Sequence, residues 1–391
     1  MRKLAMAAAV MLVAAPAAAD EVKIGYVSDF SGAFVDTFVP VYDAFRIYFD
    51  ELNASGGIDG DAVVISSRDD QLNPTRATSL FRELVVSENV NSVWSFSLSS
   101  TLPPVYELAE RLNVPAISSV SAVDSTLPPA QDFAYSTGNP FSIAGVVAGQ
   151  LAAQLQSSGG VIVCVTIESA GGKAACENTE TSGAEHGFDV TSIYFPPRTV
   201  EYGALGQSIA DAGPTIVITH LPAGLAPGVL SAARTAGYTG DVMMHNVALN
   251  EVTVAEVARS LGHAENTYIF SRYALSTDDQ QAVQDMRGAL ERGGINPSGI
   301  SSNHVIGWVH AMVAEAAIRQ CGSPCNAEEM NASLNDLTVE LGDLTGGPVA
   351  FSSDDHQGTS WWRIYAFSGA ADKFVAQGDW VEVPSNAAAE D

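Results

Sequence analysis

Residues 24–60 read IGYVSDFSGAFVDTFVPVYDAFRIYFDELNASGGIDG and set the theme for the whole chain. Ile24 to Val27 is an apolar run that predicts a strand, and Ser28, Asp29, Ser31 and Gly32 make a small polar turn. Val41, Ala44, Phe45, Tyr48, Phe49 and Leu52 then recur at the i, i+3, i+4, i+7, i+8 and i+11 spacing of a one-sided helix. Gly56 and Gly57 end it. The unit is strand, loop, helix. In an open parallel sheet, ligands are met by the loops at the carboxyl ends of the strands, so the loop after Val27 is the first candidate site.

The same unit recurs along the chain. Asp61 to Arg68 alternates as a strand, Pro74 to Val86 reads as a helix that starts on proline, and Val90 to Phe96 is strand again. Leu102 to Leu112 is the next helix and Val114 to Ser118 the next strand, before a turn-rich stretch through Leu127, Pro128 and Pro129. Chirality drives such repeats into a right-handed parallel sheet. In a second series, helices over 141–155, 173–186, 202–212, 224–235 and 251–261 alternate with strands over 160–167, 189–195, 215–219, 241–244 and 268–270. Beyond it, 278–292, 301–320 and 327–337 are three helices with hardly a strand between them. They need a sheet to cover, and the first series is short of helices on one face. The strand-like segments 347–351 and 360–367 are expected to cross back to the second series. The fold class is therefore α/β, with two doubly wound Rossmann-like lobes joined by a three-crossing hinge. The lobes are expected at 20–139 with 272–345, and at 140–271 with 346–391.

With 391 residues the chain exceeds one ordinary core, in keeping with two lobes. Arg2 and Lys3 precede the apolar run Leu4 to Ala15, and Ala17, Ala18 and Ala19 supply the small residues of a cleavage site. Residues 1–19 therefore read as a secretory signal peptide cut after Ala19, its apolar run well short of the ~20 residues a membrane span needs. Without Arg2 and Lys3 the 18 basic residues fall to 16 against 45 acidic ones, a formal charge of −29. Such a surface repels nucleic acid and anionic lipid, so neither is an expected partner. The four cysteines allow three pairings. Cys321 with Cys325 would close a local loop, Cys164 with Cys176 would clip a strand to the next helix, and free buried thiols are equally compatible with the sequence. Zinc would want CxxC spacing or neighbouring histidines, and neither is present, so no metal is expected.

The element order, together with SDFSGAF, LNASGGIDG, DDQLNP, LNVPAISS and the late LGDLTGGPVAFSSDDHQG, resembles the leucine/isoleucine/valine-type periplasmic binding proteins. These are the type I solute-binding components of ABC importers. The resemblance covers nearly the whole mature chain and is more specific in the first lobe. It implies the type I periplasmic binding protein fold, a periplasmic location, no cofactor, and a monomer that captures a small amino acid or carboxylate between its lobes. The closed form would be presented to the transmembrane subunits of a permease. In that family a serine hydroxyl and backbone groups of two first-lobe loops hold the ligand's carboxylate. The resemblance places the serine at Ser99 in SFSLSSTLPP and the second loop at Ser118, Val120, Ser121 and Ala122 in ISSVSA, where Ala122 lacks the hydroxyl of the family's threonine. The physics agrees, because Ser99 and Ser100 stand before the helix 102–112 and a helix N-terminus is a ready anion site. The same serines also read as plain N-caps.

Phe34 and Thr37 fall in the opening loop, where the family makes side-chain contacts, and Thr37 stands where the leucine/isoleucine/valine binder has a tryptophan. Trp94 could add aromatic surface but sits in an apolar strand and reads first as core. In the second lobe the family often meets the ligand's ammonium with an acidic residue and a tyrosine. Here the corresponding loops are HNVALNE, which offers Asn246 and no acid before Glu251, read as a cap at a helix start, and ESAGGKAAC, which has Glu168 and no tyrosine. Glu168 is the nearest ammonium partner, or else a solvated loop residue. Without one, the ligand is expected to be an aromatic or aliphatic acid or an amide. No GxSxG, HExxH, Walker or GxGxxG motif occurs and the seven histidines are scattered, so no enzyme is expected. A sensory binding protein of the same fold is the alternative role.

Overall fold

The computed structural model describes residues 21–120, 123–196, 201–246 and 249–388. The expected leader lies outside the described residues, as do Ser121 and Ala122. The opening stretch folds as β1 (Glu21–Ser28) and α1 (Val35–Ala54), followed by β2 (Ala62–Asp69), α2 (Pro74–Glu88), β3 (Val93–Ser95), α3 (Leu102–Leu112), β4 (Ala116–Ser118) and β5 (Ala134–Ser136). The five strands form one parallel sheet in the order β2-β1-β3-β4-β5, with Ile24 opposite Ile65 and Gly25 opposite Val93. The apolar face of α1 buries Val41, Ala44, Phe45 and Phe49, and the Phe45 ring lies 5.0 Å from that of Tyr26. Pro40 inside α1 withholds the N–H that would serve the Asp36 carbonyl. Asn303 Nδ2 donates to that carbonyl instead, at 3.3 Å.

The second lobe opens with α4 (Phe141–Leu155) and continues through β6 (Gly160–Ile167), α5 (Ala170–Glu185), β7 (Phe188–Phe195), α6 (Gly203–Asp211), β8 (Ile216–His220), α7 (Ala226–Thr235), β9 (Asp241–His245), α8 (Glu251–Leu261) and β10 (Thr267–Ser271). Next come α9 (Gln281–Arg292), α10 (Ser302–Cys321) and α11 (Ala327–Leu334), then β11 (Thr338–Val339), β12 (Val349–Ala350), β13 (Trp361–Ser368) and β14 (Lys373–Glu382). The second sheet runs β14-β13-β10-β9-β8-β6-β7, parallel except at β13 and β14. Helices α9 and α10 pack beside α1 on the first sheet. Where α10 crosses α1, Gly307 lies against the Val41 carbonyl with no room for a β-carbon. One turn on, His310 packs edge-on to Trp94 and both are fully buried, so Trp94 is core. Both cysteine pairs are bonded, Cys164 to Cys176 and Cys321 to Cys325. Among the described residues no helix is long and apolar enough to cross a membrane.

Three features depart from the sequence reading. β5 and β14 were not expected as strands. β5 has three residues behind a proline-rich turn, and β14 carries Gly378 and Asp379 with exposed faces, so neither shows a sustained apolar alternation. The segment 347–351, expected to cross to the second lobe, stays with the first: β12 pairs antiparallel with β11, and Phe351 N–H donates to the Leu337 carbonyl at 2.8 Å. The last return to the second sheet begins with β13. Glu251 is not the cap of α8, a role that Asn250 fills through Thr253 N–H. Buried at 1% exposure, Glu251 accepts from Ser276 N–H, Ser276 Oγ and the N–H of Ser302 at the start of α10, tying the second lobe to the first.

The loops after β1 and β2 are built around three carboxylates whose oxygens lie within 4.8 Å of one another: Asp29, Asp69 and Asp70. Asp29 accepts from the N–H groups of Gly32 and Phe34, which fixes the entry to α1. Asp70 Oδ1 accepts from Leu72 N–H and Ser97 Oγ, while its buried Oδ2 has no partner. Burial pushes the Asp70 carboxyl pKa up, and the neighbouring Asp29 and Asp69 charges add to the rise.

Two outcomes follow from this packing. Gly307→Ala must separate α1 from α10, and is expected to cost about 1–3 kcal/mol, read as a lower urea midpoint at unchanged m. For Asp70, a folded pKa above the unfolded value means that the ionised form opposes folding above that folded pKa and ceases to do so as pH falls through it. Asp70→Asn keeps an acceptor for Leu72 and Ser97 and turns an amide toward the other carboxylates. The expected result is a Tm higher by ~2 °C near neutral pH, with the gain shrinking as the pH is lowered through the acid range.

Candidate functional site

The loops at the carboxyl ends of both sheets enclose a cavity of about 380 Å³ between the lobes. Its first-lobe wall comes from Ala33, Phe34, Thr37 and Phe38 at the start of α1, Leu72 after β2, Ser97 to Ser100 after β3, and Val120 after β4. Its second-lobe wall comes from Phe141, from Thr166 to Ala170 with Gly172, and from His220 and Pro222. Of the expected site residues, Phe34, Thr37, Ser99, Ser100, Val120 and Glu168 share this cavity.

Two expected residues lie elsewhere. Ser118 is fully buried within the first sheet, where its hydroxyl meets Tyr106 Oη at 3.1 Å and the Tyr135 carbonyl at 3.3 Å. Asn246 is 3% exposed and turned into its own loop: Nδ2 donates to Ser271 Oγ and Oδ1 accepts from Leu249 N–H. Both spend their polar atoms on hydrogen bonds within the fold, as hydroxyls and amides at strand ends do.

The helix start at Ser99 presents fewer donors than its sequence promised. Ser99 to Thr101 form a 3₁₀ turn, the Thr101 N–H donates to the Leu98 carbonyl and the Leu102 N–H to that of Ser99. Pro103 and Pro104 follow and have no N–H to give. What remains to face a ligand is the Ser99–Ser100 backbone and the two hydroxyls.

A second helix start makes up the deficit. The sequence reading began α5 at Lys173, but it begins at Ala170, because Ser169 Oγ caps Gly172 N–H at 3.0 Å and the Ala-Gly-Gly turn can lie close to the opposite lobe. A β-carbon on Gly171 would stand 2.6 Å from the Phe141 ring and 3.1 Å from Ser99 Oγ. The N-terminus of α5 thus faces that of α3 across the cleft, and both present the positive end of a helix dipole. The Cys164–Cys176 bond holds α5 to β6.

His220, missed as a wall residue because a lone histidine at a strand end carries no spacing signal, is 2% exposed. Burial pushes its pKa down to about 3, so the ring is neutral. Thr179 Oγ1 gives its proton to the Ala175 carbonyl, so His220 Nε2–H donates to Thr179, and its Nδ1 accepts from His245 Nδ1–H at 3.2 Å. Among the described wall residues Glu168 is the one acidic side chain, and it lies at the exposed mouth. Thr37, Ser97, Thr166 and Ser169 add hydroxyl side chains, and the rest of the wall is largely aromatic or aliphatic, from Phe34, Phe38, Leu72, Leu98, Phe141, Ile167 and Pro222.

No curated protein sequence matches the chain. Among solved structures, a solute-binding protein of an ABC transporter from R. palustris, in complex with 4-hydroxybenzoate, has a TM-score of 0.78 at 18% identity, covering 94% of this chain and 98% of that one. A branched chain amino acid ABC transporter structure from Thermus thermophilus with bound valine has a TM-score of 0.84 at 18% identity over the same shares, 94% and 98%. A fatty acid ABC transporter substrate-binding protein from Thermomonospora curvata has a TM-score of 0.79 at 18% identity, covering 95% and 94%. These likenesses establish the two-lobed fold. The profile of the periplasmic binding proteins matches residues 21–372, from the first residue of β1 to the turn before β14; no lobe falls outside it, and the chain belongs to the periplasmic binding protein family.

Proposed function

We propose that the protein is the solute-binding component of an ABC importer, carried to the periplasm by its leader, and that it captures a small carboxylate with an apolar body. Residues 21–139 with 272–350 would close as one body on 140–271 with 361–388, and a membrane permease would read the closed form. The observation that carries this reading is the pairing of two helix N-termini, α3 and α5, on one cavity whose wall is mostly apolar. Both favour an anion and disfavour an ammonium. Among the described wall residues no buried carboxylate stands ready for an ammonium, whose desolvation would need one. Solute-binding proteins of this fold bind benzoate, 4-hydroxybenzoate and 3,4-dihydroxybenzoic acid, which supports an aromatic acid as cargo. Valine in another supports the second reading, an α-amino acid whose ammonium turns to Glu168 at the mouth.

Closure is a population shift: a ligand favours the closed form by the contacts it gains only there. In this reading Ser99 binds the carboxylate and Phe34, Phe38 and Phe141 enclose the body. Thr37 leaves room beside them that a bulky residue would fill.

A thermal-shift series on residues 20–391 with benzoate, 4-hydroxybenzoate, octanoate and valine separates the readings. A ligand at 100 times its Kd stabilises by about 2.7 kcal/mol. A rise with the acids that lack an amino group is expected; a rise with valine alone, abolished in Glu168→Gln, would replace the first reading by the second. Ser99→Ala is expected to weaken the bound acid by ~1–3 kcal/mol, measured by calorimetry, and an unchanged Kd would remove Ser99 from the site.

A further inference from the structure

Among the described residues two arginines are buried, Arg234 at 8% and Arg272 at 1% exposure. The fold treats them differently. Arg234 spends its Nη1 on the carbonyls of Tyr238 and Gly240 and its Nη2 on those of His263 and Asn266. Four acceptors surround it, as a buried guanidinium requires. Arg272 has fewer: Nη2 donates to the Ser119 carbonyl at 3.0 Å and Tyr273 supplies a side-chain hydrogen bond, while Nε and Nη1 have no well-aligned partner among the described residues. No carboxylate among the described residues pairs with it, and the Tyr273 ring lies 5.3 Å from its central carbon.

Its place in the fold gives the reason. Arg272 directly follows β10, where the chain crosses from the second lobe to the first. Position 138 on the neighbouring crossing is glycine, and a β-carbon there would stand 2.7 Å from Arg272 Nη2. The peptide whose carbonyl receives Nη2 joins Ser119 to Val120, and Val120 lines the cavity. Arg272 therefore sits one peptide behind the ligand's wall, in surroundings that scarcely screen it. The histidines near it, His220 and His245, have their pKa values depressed by burial and contribute no opposing or competing charge at neutral pH.

We propose that Arg272 determines specificity for anionic ligands: its uncompensated guanidinium, held behind the Ser119–Val120 peptide, supplies the countercharge that the cavity wall itself lacks. It acts through that peptide and does not line the cavity. A carbonyl bonded to a cation polarises its own peptide, which strengthens the N–H at the other end as a donor. The buried charge also raises the potential throughout a low-dielectric cavity. An acid entering as its anion relieves the isolated cation; the neutral amide of the same shape does not. The inference rests on the carboxylate reading of the site and names what enforces it.

The test compares the Kd of benzoate with that of benzamide, and of octanoate with that of octanamide, in the wild type, Arg272→Met and Arg272→Lys. Arg272→Met removes the charge and keeps the length; Arg272→Lys keeps the charge and loses the fork. The expected result is an acid-to-amide preference that falls by ~10-fold or more in Arg272→Met and is retained within ~3-fold in Arg272→Lys. Equal loss in both variants, or an unchanged preference in a folded Arg272→Met, would show a structural residue or a hydrated one and overturn the assignment. If Arg272→Met does not fold, the ¹⁵N resonance of Arg272 Nε in the wild type decides: it should shift with benzoate and not with benzamide, and equal shifts overturn the proposal. Failure of both wild-type acids to bind would instead overturn the carboxylate reading, and this inference with it.

Discussion

The cleft depends on three chain crossings that hydrogen-bond to one another. Ser136, the last residue of β5, bridges to Gln357; the Tyr273 hydroxyl donates to the Thr137 carbonyl; Asn139 Nδ2 donates to the Thr359 carbonyl at 2.6 Å; and Ala274 N–H donates to Leu344 at 2.8 Å. Each sheet ends its strands toward this bundle. The loops that follow are therefore brought face to face without either sheet touching the other. Domain closure needs such an arrangement, because motion is absorbed by a few backbone dihedrals at the crossings while each core stays packed. The Glu251 carboxylate adds a link from α8 to Ser276 and to the start of α10, a further tie between the lobes.

The repeated βα unit was legible because its signals are long. α3, α4, β6 and α8 have the bounds that their apolar periodicity gave. Length also explains what was hidden: β5 and β11 have two or three residues each, and the partner of the equally short β12 is set by the tertiary fold. The start of α5 was illegible for another reason. Gly171 and Gly172 are poor helix formers by propensity, and they are helical because Ser169 caps the turn and because only a side chain as small as hydrogen fits at Gly171 opposite Ser99 and Phe141. A tertiary contact overrode the local preference.

At the site, the resemblance directed attention to first-lobe loops that line one cavity, with Phe34, Thr37, Ser99, Ser100 and Val120 in its wall. It also pointed to Ser118 and Asn246, which loop position alone could not separate from wall residues. Whether a polar side chain turns to the cleft or to its own backbone is decided by a rotamer, and sequence carries no record of that choice. Thr166 illustrates both: it lines the cavity, yet its hydroxyl donates to the His220 carbonyl at 2.9 Å. His220 and Phe141 gave no signal because one histidine or one phenylalanine at an element end has no periodicity to betray it.

The charge of the chain makes the electrostatics of the cleft more telling. Against 45 acidic residues the 18 basic ones are scarce, and most of those that pair do so on the surface. An anionic solute approaching such a surface is repelled at long range, though salt screens this beyond about 10 Å. Capture of an anion must therefore be local, from groups that act within the cavity once water is excluded. Helix termini, hydroxyls and a buried cation meet that requirement, since each gains strength as the dielectric falls and none adds to the surface field. In the proposed reading the same exclusion of water that closes the lobes switches on the forces that hold the ligand. Closure and anion recognition are then one event, which is why the groups that carry them come from both lobes and from the crossings between.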